Sequence, residues 1–198
     1  MDIRLYGDSH MESGGEEILL IRGAEVFSPE PLGKCDILIA PPRILRVARG
    51  IEYEALEKAG LRVRVIEADG LVAVPGFIDQ HVHINGAGGE GGPRYRTPPI
   101  QLSQLVRAGI TSVVGTLGTD GVARSLRELL MKARGLEEEG VSTWIYTGSY
   151  QVPSPTLTGS ILSDIVLIDK VIGVKIALSD HRSSHPTPEE IRRIASEA

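Results

Sequence analysis

Residues 75–83 read Pro-Gly-Phe-Ile-Asp-Gln-His-Val-His, and the character of the sequence changes there. The Pro-Gly pair marks a turn, and four candidate strands then alternate with four candidate helices. We expect strands over 77–84, 112–117, 143–150 and 174–179, and helices over 100–108, 122–139, 161–171 and from Thr187 onward. Strand–helix units about 30 residues apart predict an α/β protein with a parallel sheet, either doubly wound or a (β/α)8 barrel.

The sequence before this turn consists of short β-like runs separated by Pro, Gly and Asp. The runs are residues 18–21, 35–40, 44–48, 62–67 and 71–74, with a helix-prone patch over 52–58. We predict a small, mostly antiparallel, β-sandwich-like domain over residues 17–75. Residues 1–16 are polar and rich in Gly and Ser, and we expect a flexible N-terminal tail.

The length after the turn is too short for a whole barrel. A (β/α)8 barrel takes about 250 residues, whereas 122 follow Gly76 and the last predicted helix has no C-cap glycine. We therefore expect residues 76–198 to be the first half of a barrel, with about four βα units, at the N-terminal part of a longer protein.

The composition excludes several classes of protein. Of the 198 residues, 41% are hydrophobic and 24% are charged, and the net charge of −5 argues against a nucleic-acid partner. No apolar run approaches the length of a membrane helix or resembles a signal peptide. Cys35 is the single cysteine, so no intrachain disulfide can form, and we expect a cytoplasmic protein that does not bind membranes.

His81 and His83 are the first candidates for chemistry. Alternate residues of a strand point to the same face, so the two imidazoles project together. They lie toward the carboxyl end of a predicted parallel strand, where α/β folds place their sites. Two neutral imidazoles can share a zinc ion. For this motif alone a pair that only hydrogen-bonds to loops is the more common case, and Lys175 strengthens the metal interpretation.

Lys175 is the second candidate, because it lies within the apolar run 172–178. A buried ammonium is costly unless it is paired or neutralised. One interpretation is an ion pair with a neighbouring carboxylate. The other is a neutral amine that reacts with carbon dioxide to give a carbamate able to bridge two metal ions.

The glycine-rich residues 86–91 match the G-x-G-x-x-G pattern of dinucleotide-binding proteins. The pattern lacks the helix and the acidic residue that should follow it, so we expect no nucleotide cofactor and no oxidoreductase. The glycines instead indicate close approach of the backbone to a small ligand, with Glu90 available to pair with a cation.

Two polar residues follow later predicted strands and would face the same edge of the sheet. Tyr150 could donate a hydrogen bond to a developing oxyanion, and Arg182 could hold a carboxylate through two contacts. Taken singly, each is more often a structural residue.

Seven motifs, in order, resemble the isoaspartyl dipeptidase (β-aspartyl peptidase) family of the amidohydrolase superfamily. The resemblance runs from about Leu19 to the last residue. The motifs are His81-Val82-His83, Gly88-Gly89-Glu90, Gly92-Pro93 with Arg96-Thr97-Pro98, Gly118-Thr119-Asp120, Val152-Pro153-Ser154, Val171 to Lys175, and Ser179-Asp180-His181-Arg182-Ser183.

This resemblance implies an amidohydrolase-type (β/α)8 TIM barrel with two zinc ions bridged by a carboxylated lysine. His81 and His83 would ligate one zinc, and Lys175, as N6-carboxylysine, would bridge both. A metal-bound hydroxide would hydrolyse the isopeptide bond of a small β-aspartyl dipeptide. The full-length protein is expected to be a homo-oligomer.

The resemblance also implies a set of substrate contacts. Glu90 would take the α-amino group, Arg182 a carboxylate, and Tyr150 would polarise the scissile carbonyl. The residues expected to contact the dipeptide are Gly88, Gly89, Glu90, Thr119, Tyr150 and Arg182.

The resemblance is incomplete, because the histidines of the second metal and the aspartate that serves as base would lie beyond Ala198. We therefore expect the full-length protein to be the enzyme and the isolated fragment to be inactive. The alternatives are another amidohydrolase, of the dihydroorotase, hydantoinase or N-acyl-amino-acid deacylase type, or a non-catalytic chain that retains the fold.

Overall fold

The computed structural model describes residues 17–198. The predicted tail over residues 1–16 lies outside the described residues. The chain divides into two compact units, of which one ends at Pro75 and the other comprises Gly76–Ala198.

The unit that ends at Pro75 contains one five-stranded sheet among its described residues. Its elements are β1 (Ile18–Phe27), β2 (Pro31–Ala40), β3 (Arg43–Ala48), α1 (Glu54–Lys58), β4 (Val63–Glu67) and β5 (Val72–Ala73). The order is β3-β2-β1-β4, and β5 also pairs with β1. Its core is a small cluster around β1, made of Ala24, Val26, Cys35, Ile37 and Ala68.

This sheet differs from the predicted antiparallel, sandwich-like domain. β1 and β2, and β2 and β3, pair antiparallel, but β4 and β5 both pair parallel to β1. The reason is the connection through α1, which carries the chain from β3 at one edge to the other side of β1, and parallel neighbours need such a crossover. Over residues 17–75 the sheet is therefore mixed, and this part of the chain forms one sheet rather than two.

The second unit alternates strands and helices, so the predicted α/β class is confirmed. Its elements are β6 (Phe77–Val82), a 3-10 turn (Pro93–Tyr95), α2 (Leu102–Arg107), β7 (Ile110–Gly115), α3 (Leu126–Glu138), β8 (Ser142–Gly148), α4 (Ile161–Leu167), β9 (Val171–Lys175) and α5 (Pro188–Glu197). The four strands are parallel in the order β6-β7-β8-β9. This sequential order lacks the reversal that characterises a doubly wound sheet.

Several boundaries differ from the predicted ones. The largest difference is β9, predicted over 174–179 and found at Val171–Lys175. It pairs with β8 from Ile145↔Val171 to Gly148↔Lys175, and β8 itself ends at Gly148. The apolar run 172–178 could not reveal this, because the end of the partner strand sets the end of β9.

A local capping signal predicted the start of α5. At α5, Thr187 Oγ1 accepts a hydrogen bond from Glu190 N, and the Glu190 carboxylate accepts one from Thr187 N. This confirms the predicted capping box. The helix predicted from residue 122 instead begins at Leu126, since Ser125 caps it and Asp120 accepts hydrogen bonds from the Val122 and Ala123 amides.

The core of this unit lies between the sheet and α3. Leu129, Ala133 and Leu136 on α3 are fully buried, as are Val113 on β7 and Ile145 on β8. Among residues 17–198, no helix has the length and apolar character needed to cross a lipid bilayer.

Candidate active site

The carboxyl ends of the four parallel strands lie at one edge of the sheet, and the candidate residues gather there. His81 is the second-to-last residue of β6, His83 directly follows β6, and Lys175 is the last residue of β9. The earlier end of β9 therefore places Lys175 at the same edge as the histidines, and not inside the strand as predicted.

Lys175 and His81 are in contact. Lys175 Nζ lies 3.4 Å from His81 Nε2, although their strands are the two outermost of the sheet. Three strand spacings span about 14 Å in a flat sheet, and side chains stand roughly perpendicular to the strands. The contact therefore requires the sheet to curve toward the face that carries these side chains.

The orientation of His83 is determined by one hydrogen bond. Its Nδ1 lies 3.0 Å from the carbonyl oxygen of Thr116, and because a carbonyl can only accept, Nδ1 carries the proton. In the neutral ring, Nε2 is then the nitrogen without a proton and can act as a ligand. The His81 and His83 ring centroids are 5.3 Å apart, with the ring planes at 88°.

Burial favours the neutral forms of the two groups in contact. Burial lowers the pKa of His81, and the neighbouring Lys175 and His83 lower it further. Burial also lowers the pKa of the Lys175 amine. A neutral imidazole is a metal ligand, and a neutral amine is a nucleophile.

These donors fit part of a metal centre. Within residues 17–198 no group of three or more His, Cys, Asp or Glu side chains is arranged to hold a metal ion. The donor set is two imidazoles and one amine, and carboxylation of that amine would add two oxygens.

The predicted substrate residues form a second cluster near the first. Glu90 Oε1 accepts from Thr119 Oγ1 at 2.8 Å and pairs with Arg182 Nη1 at 2.7 Å. Glu90 follows β6, Thr119 follows β7 and Arg182 follows β9, so three connections meet at this point. With Gly88 and Gly89, these residues line a cavity of about 570 Å³.

Tyr150 lies between the two clusters. The centroid of its ring is 5.5 Å from Lys175 Nζ and 5.5 Å from Arg182 Cζ. β8 ends at Gly148, so Tyr150 belongs to the following connection and not to the strand as predicted. The structure thus brings together every residue that the sequence nominated for the site.

Sequence reasoning gave no role to Asp180, which holds Arg182. The Asp180 carboxylate accepts from Arg182 Nε at 2.8 Å, Nη2 at 2.6 Å and the Arg182 backbone amide at 2.9 Å. These bonds hold the pKa of Asp180 well below its usual range and raise that of Arg182. The Asp-x-Arg spacing could have indicated this ion pair, because the side chains of residues two apart in a turn can contact each other.

Sequence reasoning also gave no role to Arg96, Asp120 and Arg124. Arg96 Nη2 pairs with Asp120 Oδ2 at 3.2 Å, which joins the connection after β6 to the one after β7. Arg124 is buried in the second of these connections. No periodicity or motif marks it, because its partners are main-chain carbonyls far away in the sequence.

Known proteins resemble this chain to different extents. The solved β-aspartyl dipeptidase of Fervidobacterium islandicum AW-1, in complex with a β-Asp-Leu dipeptide, is 53% identical with a TM-score of 0.85, over 92% of this chain and 47% of that one. The adenine deaminase of Deinococcus deserti is 34% identical over 123 residues, 60% of this chain and 18% of that protein. The dihydroorotase of Elusimicrobium minutum is 39% identical over 74 residues, 36% of this chain and 16% of that protein. No protein-family model matches the chain.

The chain spans about half the length of the dipeptidase structure and less than a fifth of these two curated relatives. Its structural relatives are TIM-barrel amidohydrolases, and its curated relatives are amidohydrolase-type enzymes. The resemblance predicted from the seven motifs is therefore confirmed: over most of its length, this chain is similar in sequence and fold to the β-aspartyl dipeptidases.

Proposed function

We propose that the protein to which this chain contributes is a cytoplasmic, homo-oligomeric, zinc-dependent amidohydrolase that cleaves the isopeptide bond of β-aspartyl dipeptides. The observation that carries this proposal is the contact of Lys175 Nζ with His81 Nε2, 3.4 Å apart, beside the Glu90–Arg182 pair. The residues proposed to bind the metal therefore lie next to the charged residues proposed to bind a zwitterionic substrate. The similarity to the F. islandicum dipeptidase supports the choice of substrate.

In this proposal His81 and His83 would hold one zinc ion, and Lys175, as N6-carboxylysine, would be a ligand shared by two. The neutral Lys175 amine attacks carbon dioxide, forms an N–C bond and releases one proton, which leaves an anionic carbamate. When bound, zinc would supply a water of lowered pKa and a Lewis acid for the amide carbonyl. The His83–Thr116 hydrogen bond supports the role of His83, because it leaves Nε2 free to ligate.

The second cluster would bind the two charged groups of the substrate. Glu90 would pair with the free α-amino group, while Arg182, held by Asp180, would pair with a carboxylate. Thr119 would keep Glu90 in position, and Gly88 and Gly89 would let the backbone approach the dipeptide. The Tyr150 phenol would donate a hydrogen bond to the carbonyl oxygen as negative charge develops on it.

The chain would supply part of the enzyme. We propose that residues 17–75 form the small β domain and that residues 76–198 form the first half of a (β/α)8 barrel. Among the described residues β6 and β9 each have one unpaired edge, and such edges need partners in a closed barrel. The remaining ligands and the aspartate base would come from the other half, so the 198-residue chain alone is expected to be inactive.

A chimera tests the function. This chain would replace the aligned segment of the F. islandicum dipeptidase, to which it is 53% identical. We expect the chimera to bind zinc and to hydrolyse β-Asp-Leu, with His81→Ala and Lys175→Met variants inactive and with the 198-residue chain inactive on its own. A folded chimera without bound zinc would favour a non-catalytic chain.

A second candidate function follows from the dihydroorotase relative. The Glu90–Arg182 pair favours a zwitterionic dipeptide over a cyclic imide, because a dipeptide offers an ammonium group to Glu90 and a carboxylate to Arg182, whereas a cyclic imide has no ammonium group. Dihydroorotate and hydantoin should therefore be poor substrates of the chimera. Faster turnover of either than of β-Asp-Leu would overturn the proposed substrate.

A further inference from the structure

Arg124 holds the two ends of the loop that carries Glu90. This loop, residues 86–96, is called the glycine loop below, and Asn85 and Thr97 flank it. Arg124 Nη1 donates to the carbonyl oxygen of Asn85, and Nη2 donates to that of Thr97 at 2.6 Å. Arg124 is only 7% exposed. Burial of a charged guanidinium is costly unless its N–H groups are hydrogen-bonded. Both acceptors here are uncharged main-chain carbonyls, so these bonds do not form an ion pair. Their structural effect is to tie Arg124 to the two residues that flank the loop.

The two ends of the glycine loop also bond to each other. Ala87 N donates to Thr97 Oγ1 at 2.8 Å, and Thr97 N donates to the Ala87 carbonyl at 2.8 Å. The loop therefore closes on itself, and Arg124 adds a bond to each end from outside. Because a guanidinium is planar and rigid, the two bonds also fix the distance between the ends.

Gly86 leaves the space that this arrangement needs. Its φ is +88°, and a Cβ atom built there would lie 2.6 Å from Arg124 Nη2 and 2.4 Å from the Thr97 carbonyl oxygen. Any side chain at this position would displace the guanidinium or the end of the loop. The observed position of Arg124 therefore depends on the absence of a side chain at residue 86.

The same connection that carries Arg124 contacts the glycine loop at two further points. Thr119 Oγ1 donates to Glu90 at 2.8 Å, and Asp120 pairs with Arg96 at 3.2 Å. Arg124 restrains the ends of the loop, the Thr119 contact restrains Glu90 in its middle, and the Asp120 contact restrains its last residue, Arg96. Glu90 is therefore presented to Arg182 by a loop that is held at both ends.

We propose that Arg124 is a positioning residue, which holds the ends of the glycine loop and so places Glu90 against Thr119 and Arg182. The restraint on the loop stands on the contacts above. Its consequence for substrate binding rests on the proposed function, in which Glu90 pairs with the substrate amino group.

Hydrogen–deuterium exchange of the 198-residue chain tests the restraint. Loss of two charge-assisted hydrogen bonds in Arg124→Gln should speed exchange at the Ala87 and Thr97 amides by about tenfold or more. Arg124→Lys can bond one carbonyl at a time, so it should give an intermediate rate. Arg127→Gln, on the exposed side of α3, is the matched control and should change neither rate.

Amides of α3 serve as the reference for global opening. Faster exchange in the glycine loop with unchanged exchange in α3 supports the proposal. Unchanged exchange in the loop, or an equal rise in the loop and in α3, overturns it, because Arg124 would then act on overall stability alone. If Arg124→Gln does not fold, the same comparison in Arg124→Lys decides.

Kinetics of the chimera test the consequence for binding. In Arg124→Lys we expect the KM for β-Asp-Leu to rise about tenfold while kcat changes less than about threefold, because the metal-ligating residues are untouched. A looser loop with unchanged KM overturns the role in positioning. If the unsubstituted chimera is inactive, the proposed function fails, and the exchange measurements still judge the restraint.

Discussion

Lys175 Nζ lies 3.4 Å from His81 Nε2, although β9 and β6 are the outermost strands of the four-stranded sheet. The contact joins residues 94 positions apart in the sequence. It depends on the curvature of the sheet and on the end of β9 at Lys175. Burial lowers the pKa of both groups, and the pair lies at the edge where the predicted substrate residues gather.

Substitution of Lys175 should remove metal before it affects folding. Lys175→Met keeps the length of the side chain but cannot form a carbamate. We expect the bound zinc of the chimera to fall from about two ions to one or fewer per chain, and the hydrolysis of β-Asp-Leu to fall at least about a thousandfold.

Elemental analysis and initial rates check this prediction. Lys58→Met on α1, where the lysine is exposed, serves as the control and should match the unsubstituted chimera. Full zinc content in Lys175→Met would contradict the bridging role.

Two substitutions of His83 should separate its ligand role from its structural role. His83→Asn retains an N–H that can donate to the Thr116 carbonyl, whereas His83→Ala does not. Both should lose zinc. Only His83→Ala should also lose stability, by about 1 kcal/mol for one hydrogen bond, measured by urea unfolding of the metal-free chain. Retention of zinc by His83→Asn would exclude Nε2 as a ligand.

Removal of the Tyr150 hydroxyl should affect the chemical step. In Tyr150→Phe the ring can keep its position between Lys175 and Arg182, so KM should change little. We expect kcat for β-Asp-Leu to fall about a hundredfold to a thousandfold, as for loss of one oxyanion donor. Tyr146→Phe, on the neighbouring β8, is a suitable control. A fall confined to KM would assign Tyr150 to binding and not to catalysis.

Asp164 should make stability depend on acidity. This buried residue of α4 accepts hydrogen bonds from Thr147 Oγ1, from the Leu157 and Thr158 amides and from Thr158 Oγ1. Burial alone would raise the pKa of its carboxyl, but these bonds outweigh burial and lower it. A carboxyl with a lowered pKa stabilises the fold above its unfolded-state pKa of about 3.9, and this contribution is lost as the pH falls through the lower, folded-state value.

Urea unfolding between pH 3 and pH 7 measures this contribution. Asp164→Asn should lower the free energy of unfolding by about 2 kcal/mol at pH 7. The NH2 group of Asn would then face N–H and O–H donors that hydrogen-bond to the carboxylate in the wild-type chain. The cost should shrink in acid, where the wild-type carboxylate loses its advantage. Asp169→Asn, an exposed neighbour, should lie close to the wild-type chain at every pH. A cost that is constant with pH would show that Asp164 acts by packing alone.

Features set by neighbouring residues could be predicted from the sequence. Strand alternation places His81 and His83 on one face wherever the strand lies. The capping box of Thr187 and Glu190 was predicted because its hydrogen bonds join residues three apart. The strand–helix order after Pro75 likewise follows from local hydrophobic patterns, and with it the α/β class.

The parallel pairing of β4 with β1 and the end of β9 could not be predicted in this way. Both depend on which strand lies alongside, and the hydrophobic pattern of one strand does not identify its neighbour. The hydrogen bonds from Arg124 to the carbonyl oxygens of Asn85 and Thr97 were missed for a related reason. Main-chain carbonyls are present at every residue, so no pattern marks the two that accept.

By itself the sequence determined the candidate residues of the site: two imidazoles that strand alternation places on one face, a lysine among apolar residues, and the seven motifs that resemble the β-aspartyl dipeptidases. Local stereochemistry and residue type suffice for these. Only the tertiary structure decided that Lys175 reaches His81, that Tyr150 lies between Lys175 and Arg182, and that Arg124 restrains the glycine loop. Those contacts arise because the curved parallel sheet brings the ends of different strands together, and contacts between distant residues leave no periodic trace along the chain.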